Sequence, residues 1–494
     1  MTPRLLRTAL LALVALILAV PATASAAPNL EVGIADENVL TGNTPGGTDA
    51  TVAKWKASGV QDVRIFAQWD KFAPDGKKTK APAGFVADDP ASYDLSVLDQ
   101  KIDAVVKHGL NVTLVVTGPG PVWGSQEAAR LNGAWKPDPK KFAAFATAIA
   151  KHVGTRVDRY IVWNEPNVKT WLQPQYVCVG RKVGTDKCES TAPHLYRDLA
   201  RAGYAAIHAA DPTSRVAVGG TSSFGTALAI STNATTQPLN FLRTMGCVNR
   251  KYHRIRTGVC KGFKPVTGDA LAYHPHSTRY SPGKADPNTA NARMADLPRL
   301  IKVIDRLTSG GRLKVAGAKK LPLWLDEYGY QTNPPDKVDG FQSPSVAAQY
   351  LQWGWSLAAR NPRVQTLTQY EWFDEPTGAG DREFNRWQSG LYTFDGKPKP
   401  LAAVFANPIF GWRTGKAAYV WGQVRPGDTA TTVRLERRSG SSFKAYKTVK
   451  TDGSGVFQLK VPRSTSARYR FVYVDPNTQA EVTSAATTLR KTSR

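Results

Sequence analysis

The stretch Arg159-Tyr160-Ile161-Val162-Trp163-Asn164-Glu165-Pro166-Asn167 begins with a short apolar run and stops at a carboxylate between an amide and a proline. A run of this kind is typical of a buried parallel strand. Pro166 continues neither a ladder nor a helix and biases Glu165 toward an extended backbone, so the glutamate is expected at the end of the strand. Ligands of parallel α/β folds bind at the carboxyl ends of the strands, and the stretch therefore predicts a functional carboxylate.

A second strand-end glutamate follows far downstream, in Leu321-Pro322-Leu323-Trp324-Leu325-Asp326-Glu327-Tyr328-Gly329-Tyr330. Around both stretches, short apolar runs alternate with amphipathic ones, as expected of repeated βα units. Eight strands are predicted, at residues 30–35, 63–67, 112–116, 159–162, 216–220, 270–274, 321–327 and 364–372. This pattern predicts a (β/α)8 TIM barrel over residues 28–408. A doubly wound open sheet is the alternative, but the Gly-rich phosphate turn expected after its first strand is missing.

The pattern changes after Phe410. Residues 411–494 contain short alternating runs separated by turn residues such as Asp452-Gly453 and Asp475-Pro476. Short strands at near-even spacing predict a small all-β accessory domain, an immunoglobulin-like sandwich.

The N-terminal residues 1–26 have the order of a secretory signal peptide. Arg4 and Arg7 precede an apolar run from Leu10 to Val20, and small residues follow up to Ala26. The apolar run is too short for a membrane-spanning helix. We therefore expect a secreted, extracellular protein without a membrane anchor after signal cleavage; a retained N-terminal anchor is the alternative.

Four cysteines lie in two local pairs, Cys178 with Cys188 and Cys247 with Cys260. In an exported chain they indicate two disulfides. Three pairings are possible, and the local ones are favoured because each closes a loop without periodic pattern.

The formal net charge of +26 favours contact with an anionic polysaccharide or another cell-wall polymer. The basic residues are scattered and no nucleic-acid motif is present, so no nucleic-acid partner is expected. His274 and His276, even with His253, lack a recognisable metal-ligand spacing, so we expect neither a metal nor a cofactor. We also expect a monomer.

The two strand-end glutamates define the predicted chemistry. Glu165 and Glu327 end strands four and seven, which face the same opening of a barrel. Carboxyls about 5–5.5 Å apart suit double displacement at a glycosidic carbon with retention. Glu165 would hold a proton for the leaving oxygen, and Glu327 would be ionised to attack, with Arg64 on strand two as the stabilising cation.

These motifs resemble those of the retaining glycoside hydrolases of clan A, the cellulase-like and β-xylosidase-like families. The resemblance rests on Trp163-Asn164-Glu165-Pro166, Leu325-Asp326-Glu327-Tyr328-Gly329, Val63-Arg64-Ile65 and Gln369-Tyr370-Glu371-Trp372. It implies that Glu165 is the acid/base, Glu327 the nucleophile, Asn164 the ligand of the sugar 2-hydroxyl and Arg64 the electrostatic support.

The resemblance also implies that Trp372 is the strand-eight aromatic under the sugar and that His274 orients the nucleophile. Two positions depart from the family pattern. Strand six reads His274-Pro275-His276, where His-x-Tyr is commoner, and strand three ends in Thr117-Gly118 rather than in histidine.

Alternatives remain open for several residues. Trp69, Trp123, Trp171 and Trp387 are either sugar platforms or packing residues, because both roles use the apolar ring faces. Of these four, Trp69 and Trp123 are included with Trp372 in the predicted substrate site. Glu165 is alternatively a helix-starting acid, and Arg64 a surface partner of Asp70 or Asp36. One residue of the cluster Glu371, Asp374 and Glu375 is an alternative acid.

Two functions are carried forward from these observations. The first is a secreted retaining glycoside hydrolase that acts on a carbohydrate, an oligo- or polysaccharide. The second is a non-catalytic cell-wall or glycan-binding protein on the same scaffold.

Overall fold

The computed structural model describes residues 30–492, except 179–187, 227–231, 338–340, 377–386 and residue 428. The expected signal peptide lies outside the described residues. Within the described ranges, no helix is both long and apolar enough to cross a membrane.

Eight parallel strands close into a barrel, each paired with the next in chain order and the eighth with the first. They are β1 Glu31–Ala35, β2 Asp62–Gln68, β3 Asn111–Thr117, β4 Arg159–Val162, β5 Arg215–Ser222, β6 Ala270–His274, β7 Leu323–Tyr328 and β8 Val364–Tyr370. The predicted TIM barrel is confirmed, with all eight predicted strands present. The open doubly wound sheet is excluded because β1 pairs with both β2 and β8.

Helices surround the barrel and bury their apolar faces against it. They are α1 Glu37–Leu40, α2 Thr48–Ala57, α3 Trp69–Phe72, α4 Ser96–Val106, α5 Pro139–Val153, α6 Ala192–Ala210, α7 Pro238–Met245, α8 Leu297–Ser309, α9 Pro344–Ala359 and α10 Pro400–Ala406. In α5, Asp138 accepts from two first-turn N–H groups and Pro139 occupies the first turn, which fixes the start of the helix. Its next turns bury Phe142, Phe145 and Ile149, so local signals and packing agree.

Both predicted disulfides are present. Cys178–Cys188 joins the short hairpin of Tyr176–Cys178 and Cys188–Ser190, and Cys247–Cys260 closes a loop that follows α7. The first bridge lies between β4 and β5 of the barrel and the second between β5 and β6, and each stabilises the fold by restricting the unfolded chain.

The C-terminal domain is all-β, as predicted. Its strands are β9 Ile409–Arg413, β10 Ala418–Gln423, β11 Thr432–Ser439, β12 Ser442–Lys450, β13 Val456–Val461, β14 Arg468–Val474, β15 Glu481–Thr483 and β16 Thr487–Lys491. They form one curled sheet rather than two separate ones, because β16 pairs with β9 of one half and β14 of the other. Both halves contribute to a common apolar core.

The C-terminal domain packs tightly on the barrel. Trp353 of α9 stacks on Phe410 with ring centroids 5.3 Å apart. The guanidinium of Arg425 is buried 3.9 Å from the ring centroid of Trp355 and donates to the carbonyl of Phe405 at 2.7 Å. Arg425 also borders Gly59, which precedes β2, so this contact lies at the amino ends of the strands and away from the barrel opening.

Candidate active site

A cavity of about 330 Å³ opens at the carboxyl ends of the barrel strands. Residues that end or follow β1, β4, β7 and β8 line it, together with side chains from β2 and two tryptophans. The lining comprises Ala35, Asp36, Glu37, Asn38, Arg64, Phe66, Asn164, Glu165, Trp171, Glu327, Tyr370, Glu371, Glu375 and Trp387. Both strand-end glutamates of the sequence therefore reach one cavity.

One imidazole nitrogen bridges the two glutamates. Nδ1 of His274 lies 3.0 Å from Oε1 of Glu165 and 3.3 Å from Oε2 of Glu327. The nearest oxygens of the two carboxylates are thus no farther apart than the sum of these distances. The side chain of Glu327 is 10% exposed and that of Glu165 19%, so Glu165 is the more accessible of the pair.

Basic side chains surround Glu327. Its Oε1 lies 3.0 Å from Nη2 of Arg64, and its Oε2 lies 3.4 Å from Nε2 of His276. Burial by itself raises the pKa of Glu327, but the charges of His274 and Arg64 outweigh burial and lower the pKa to about 2. Glu327 is therefore a carboxylate at neutral pH.

His274 is held as a cation. Its Nε2 lies 3.2 Å from Oδ2 of Asp326, while its Nδ1 faces both glutamates. Burial lowers the pKa of His274, but the carboxylates of Glu327 and Asp326 outweigh burial and raise the pKa to about 10. With both ring nitrogens protonated, the imidazolium donates to Asp326 on one side and to the glutamate pair on the other.

The charge of His274 makes stability depend on alkaline pH. Since its folded pKa of about 10 exceeds the unfolded value of about 6.5, its contribution is complete below pH 6.5 and is lost as pH rises through 10. We expect the free energy of unfolding of the wild type to fall more steeply between pH 7 and 10 than that of His274→Gln, by up to about 1.4 kcal/mol per pH unit. Urea unfolding across this range measures both slopes.

His208→Gln is the matched control for this experiment, because His208 bonds to Asp269 near the outside of the barrel. Parallel pH slopes for the wild type and His274→Gln would contradict a charged His274.

Asp326 is a site residue whose role the sequence did not reveal. Its Oδ2 accepts from Nε of Arg64 at 3.0 Å and from His274, and its Oδ1 accepts from the N–H of Tyr273 at 3.0 Å. Adjacent residues of a regular strand point to opposite faces, yet Asp326 and Glu327 both reach Arg64. The register between β7 and β8 shifts between Leu325 and Tyr328, and this irregularity permits it.

Arg64 joins the ends of three strands. Besides Asp326 and Glu327, it donates from Nη2 to Oδ1 of Asn164 at 2.6 Å. Within the described part of the chain, Arg64 forms its ion pairs with Asp326 and Glu327 and not with Asp70 or Asp36, and its guanidinium is buried in the site. This bond leaves the amide nitrogen of Asn164 as the group that can donate to a ligand.

The backbone at Glu165 differs from the expectation. Its φ is 34°, in the left-handed region, and so the prediction of an extended backbone before Pro166 is wrong. The N–H of Glu165 donates to the carbonyl of Gly220 at 2.8 Å, and Trp163, with φ 73°, donates to Val116 at 2.9 Å. Tertiary hydrogen bonds to β3 and β5 hold this unusual turn, which aims the carboxylate at the cavity.

Three tryptophans predicted to bind sugar are buried in the protein core. Trp69 is 0%, Trp123 4% and Trp372 3% exposed, and none lines the cavity. Trp69 stacks on Phe145, and Trp372 packs between Trp55 and Phe405. Their assignment as sugar platforms is wrong because an indole face in a hydrophobic cluster is not available to a ligand.

Two other tryptophans line the cavity. Trp171 stacks on Phe66 at a centroid distance of 5.7 Å. The ring centroid of Trp387 lies 5.5 Å from that of His276 and 5.4 Å from that of Tyr370. From the sequence, each of these two tryptophans is either a sugar platform or a packing residue. The structure places both in the lining of the cavity, where a ring can contact a ligand.

The three acidic residues after β8, Glu371, Asp374 and Glu375, do not share one environment. Oδ1 of Asp374 accepts from Nζ of Lys399 at 2.7 Å and from the N–H of Gly390, and Asp374 is not among the residues that line the cavity. Glu371 and Glu375 line the cavity. None of the three is bridged to Glu327 as Glu165 is.

Three donor atoms within the site are close enough for a metal ion: His274, His276 and Glu327 each offer one, all within 4.8 Å of one another. His253 is not a member of this group. The raised pKa of His274, whose nitrogens face carboxylates, opposes metal binding because a ligating imidazole must be deprotonated.

Comparison with known proteins gives structural similarity at low sequence identity. No protein-family model and no curated protein matches the chain. Similar solved structures include a family 39 glycoside hydrolase from the gut symbiont Bacteroides cellulosilyticus WH2, at 16% identity over 88% of this chain and 79% of that chain, with a TM-score of 0.47. A glucosidase from Croceicoccus marinus has 13% identity, coverage of 90% and 95%, and a TM-score of 0.49.

A third similar structure is a GH5_18 variant from Streptomyces cattleya in complex with Manb1-4GlcNAc. It has 16% identity, coverage of 72% of this chain and 73% of that chain, and a TM-score of 0.46. Because all these identities are low, the function proposed below rests on the geometry of the cavity.

Proposed function

We propose that this protein is a retaining glycoside hydrolase that cleaves O-glycosidic bonds of an oligo- or polysaccharide by double displacement. The observation that carries the proposal is the pair of carboxylates at the ends of β4 and β7, bridged by one nitrogen of His274. An oxygen of each carboxylate lies within 3.3 Å of the same nitrogen, and this closeness is compatible with the separation of about 5–5.5 Å between the carboxyl groups of retaining hydrolases. This spacing supports retention.

The environments of the two carboxylates support different roles. Glu327, ionised between Arg64 and His274, attacks the anomeric carbon as Glu165 protonates the leaving oxygen and the glycosidic bond breaks. Glu165 then takes a proton from water, which attacks the same carbon and releases Glu327. The more exposed position of Glu165 suits a group that meets both the leaving group and water.

The configuration of the first product tests the mechanism. A screen of aryl glycosides and soluble polysaccharides identifies a cleaved substrate, and proton NMR then shows the anomer released first. We expect the anomer of the substrate. Initial release of the opposite anomer would contradict double displacement, since a single displacement inverts the carbon.

Secretion and polymer contact belong to the same proposal. The two disulfides are consistent with an oxidising, extracellular location for the mature chain, which we propose to be a monomer. Residues 411–494 carry 16 Lys and Arg against 5 Asp and Glu, which supports attachment to an anionic wall polymer.

The same charge favours the second candidate function, a non-catalytic binder of wall polymer or glycan. Salt-sensitive binding to an anionic glycan, with no hydrolysis of any glycoside in the screen, would favour this candidate over the hydrolase.

A further inference from the structure

One wall of the cavity consists of carboxyl groups at the ends of β1 and β8. We call Asp36, Glu37, Glu371 and Glu375 the acidic wall. Among the described residues that line the cavity, Arg64 is the one Lys or Arg side chain. Its guanidinium is already bound to Asp326, Glu327 and Asn164. The described lining thus offers no uncommitted Lys or Arg to an anionic ligand.

Three carboxyls of the acidic wall are occupied by the protein itself. Asp36 accepts four backbone N–H bonds, two from the start of α1 and two from the residues Trp372 and Phe373. Glu37 accepts from the N–H of Phe66 and pairs with Lys101, and Glu375 accepts from the N–H of Trp387.

Glu371 differs from the rest of the wall. The residue is 3% exposed and lines the cavity, yet its Oε2 has no hydrogen-bond partner among the described residues. A buried polar atom without a partner is costly, and a ligand that supplies the partner accounts for it. Burial, followed by the charges of Asp36 and Glu375, raises the pKa of Glu371 well above its usual range. Its side chain is then a neutral acid whose O–H can donate.

We propose that the cavity accepts an uncharged sugar ring and rejects a uronic acid, and that Glu371 binds a hydroxyl group of that ring. This inference rests on the proposed glycosidase function and names its substrate class. A hydroxyl oxygen accepts from the carboxylic acid of Glu371 without adding charge to the site. A uronate would place a further negative charge beside the acidic wall, where water is displaced and no described Lys or Arg is free to pair with it.

Glycosides whose sugars differ in charge test whether the cavity selects a neutral sugar: xylose and glucuronic acid differ from glucose at C6, and glucosamine differs from it at C2. Kinetics are measured with 4-nitrophenyl glycosides of glucose, xylose, glucosamine and glucuronic acid in each anomeric form. We expect kcat/KM for the best neutral glycoside to exceed that for the glucuronide by about 100-fold or more. A glucuronide cleaved as fast as the neutral glycosides overturns the proposal. So does a preference for the glucosaminide, which would mean that the wall binds an ammonium group.

Variants of Glu371 test the hydrogen bond. Glu371→Gln keeps a donor of the same shape, so kcat/KM for the neutral glycoside is expected to stay within about 5-fold of wild type. Glu371→Ala removes the donor and is expected to lower kcat/KM by about 10- to 100-fold, mainly through KM. Glu481→Gln, on the exposed strand β15, is the matched control. Equal losses in the Gln and Ala variants, or no loss in either, overturn the role of Glu371.

Binding without turnover separates this inference from the proposed function. Thermal unfolding of the wild type is followed with glucose, xylose or sodium glucuronate at matched ionic strength. The neutral sugars are expected to raise Tm and glucuronate to leave it unchanged. If no glycoside is cleaved but neutral sugars still raise Tm and glucuronate does not, the hydrolase proposal fails, and the inference that the cavity selects neutral sugars stands. Stabilisation by glucuronate alone overturns the selection whatever the activity.

Discussion

Glu327→Gln is expected to lower kcat by about 10⁴-fold or more on any glycoside that the wild type cleaves. The amide has the shape of the carboxylate but cannot attack the anomeric carbon, so the covalent intermediate does not form. Steady-state and single-turnover kinetics with an aryl glycoside measure the loss. Far-ultraviolet circular dichroism checks that the barrel is folded, because the substitution leaves the positive charges of Arg64 and His274 with one partner fewer.

The exposed Glu481→Gln variant is the control for this experiment as well. Activity of Glu327→Gln at the wild-type level would remove Glu327 from the mechanism. A stronger positive result comes from Glu327→Gly with added azide. The small nucleophile enters the space left by the carboxylate and attacks the anomeric carbon directly, which gives a glycosyl azide of inverted configuration.

Glu165→Ala is expected to have a different signature. Loss of the general acid slows cleavage by about 10²- to 10⁴-fold when the leaving group needs a proton, and much less for an activated leaving group such as 2,4-dinitrophenolate. A comparison of 4-nitrophenyl, 2,4-dinitrophenyl and disaccharide substrates measures this dependence. With an activated substrate the glycosyl-enzyme accumulates, because no base activates water, and a burst of phenolate precedes slow turnover.

Reaction with azide distinguishes the role of Glu165 from that of Glu327. It needs no general base, so it is expected to rescue Glu165→Ala and to yield a glycosyl azide of retained configuration. An equal loss across all leaving groups, without a burst or azide rescue, would contradict the acid/base role. In that case Glu371, the buried neutral acid of the cavity, would be the next candidate.

Much of this architecture could be predicted because the signals are local. Each barrel strand is a short apolar run, since both faces of a parallel sheet are covered, and each is followed by turn or helix signals. Signals of the same short range, the alternating runs between turn residues and the spacing of the cysteines, predicted the C-terminal strands and the two cysteine pairs. The positions of Glu165 and Glu327 at strand ends placed both carboxylates at one opening once eight strands were counted.

Local sequence signals do not predict which tryptophans line the cavity. Trp372 lies two positions after the end of β8 and Trp387 lies 15 positions later, yet Trp387 lines the cavity and Trp372 is buried beside Trp55. Nothing in the residue type separates them, because the same apolar ring face packs in a core or stacks on a sugar. The direction of each ring depends on the neighbours that the folded chain places around it.

The sequence by itself determined the barrel, the β domain and the two strand-end glutamates, because strand periodicity and turn residues act over a few positions. Only the tertiary structure decided how those glutamates are held. Arg64 and Asp326 are 262 positions apart, and His274 and Glu165 are 109 apart. The φ of Glu165 likewise depends on Gly220 in another strand. Ionisation is set by charges and burial at a few ångströms, and those distances exist only after the barrel closes.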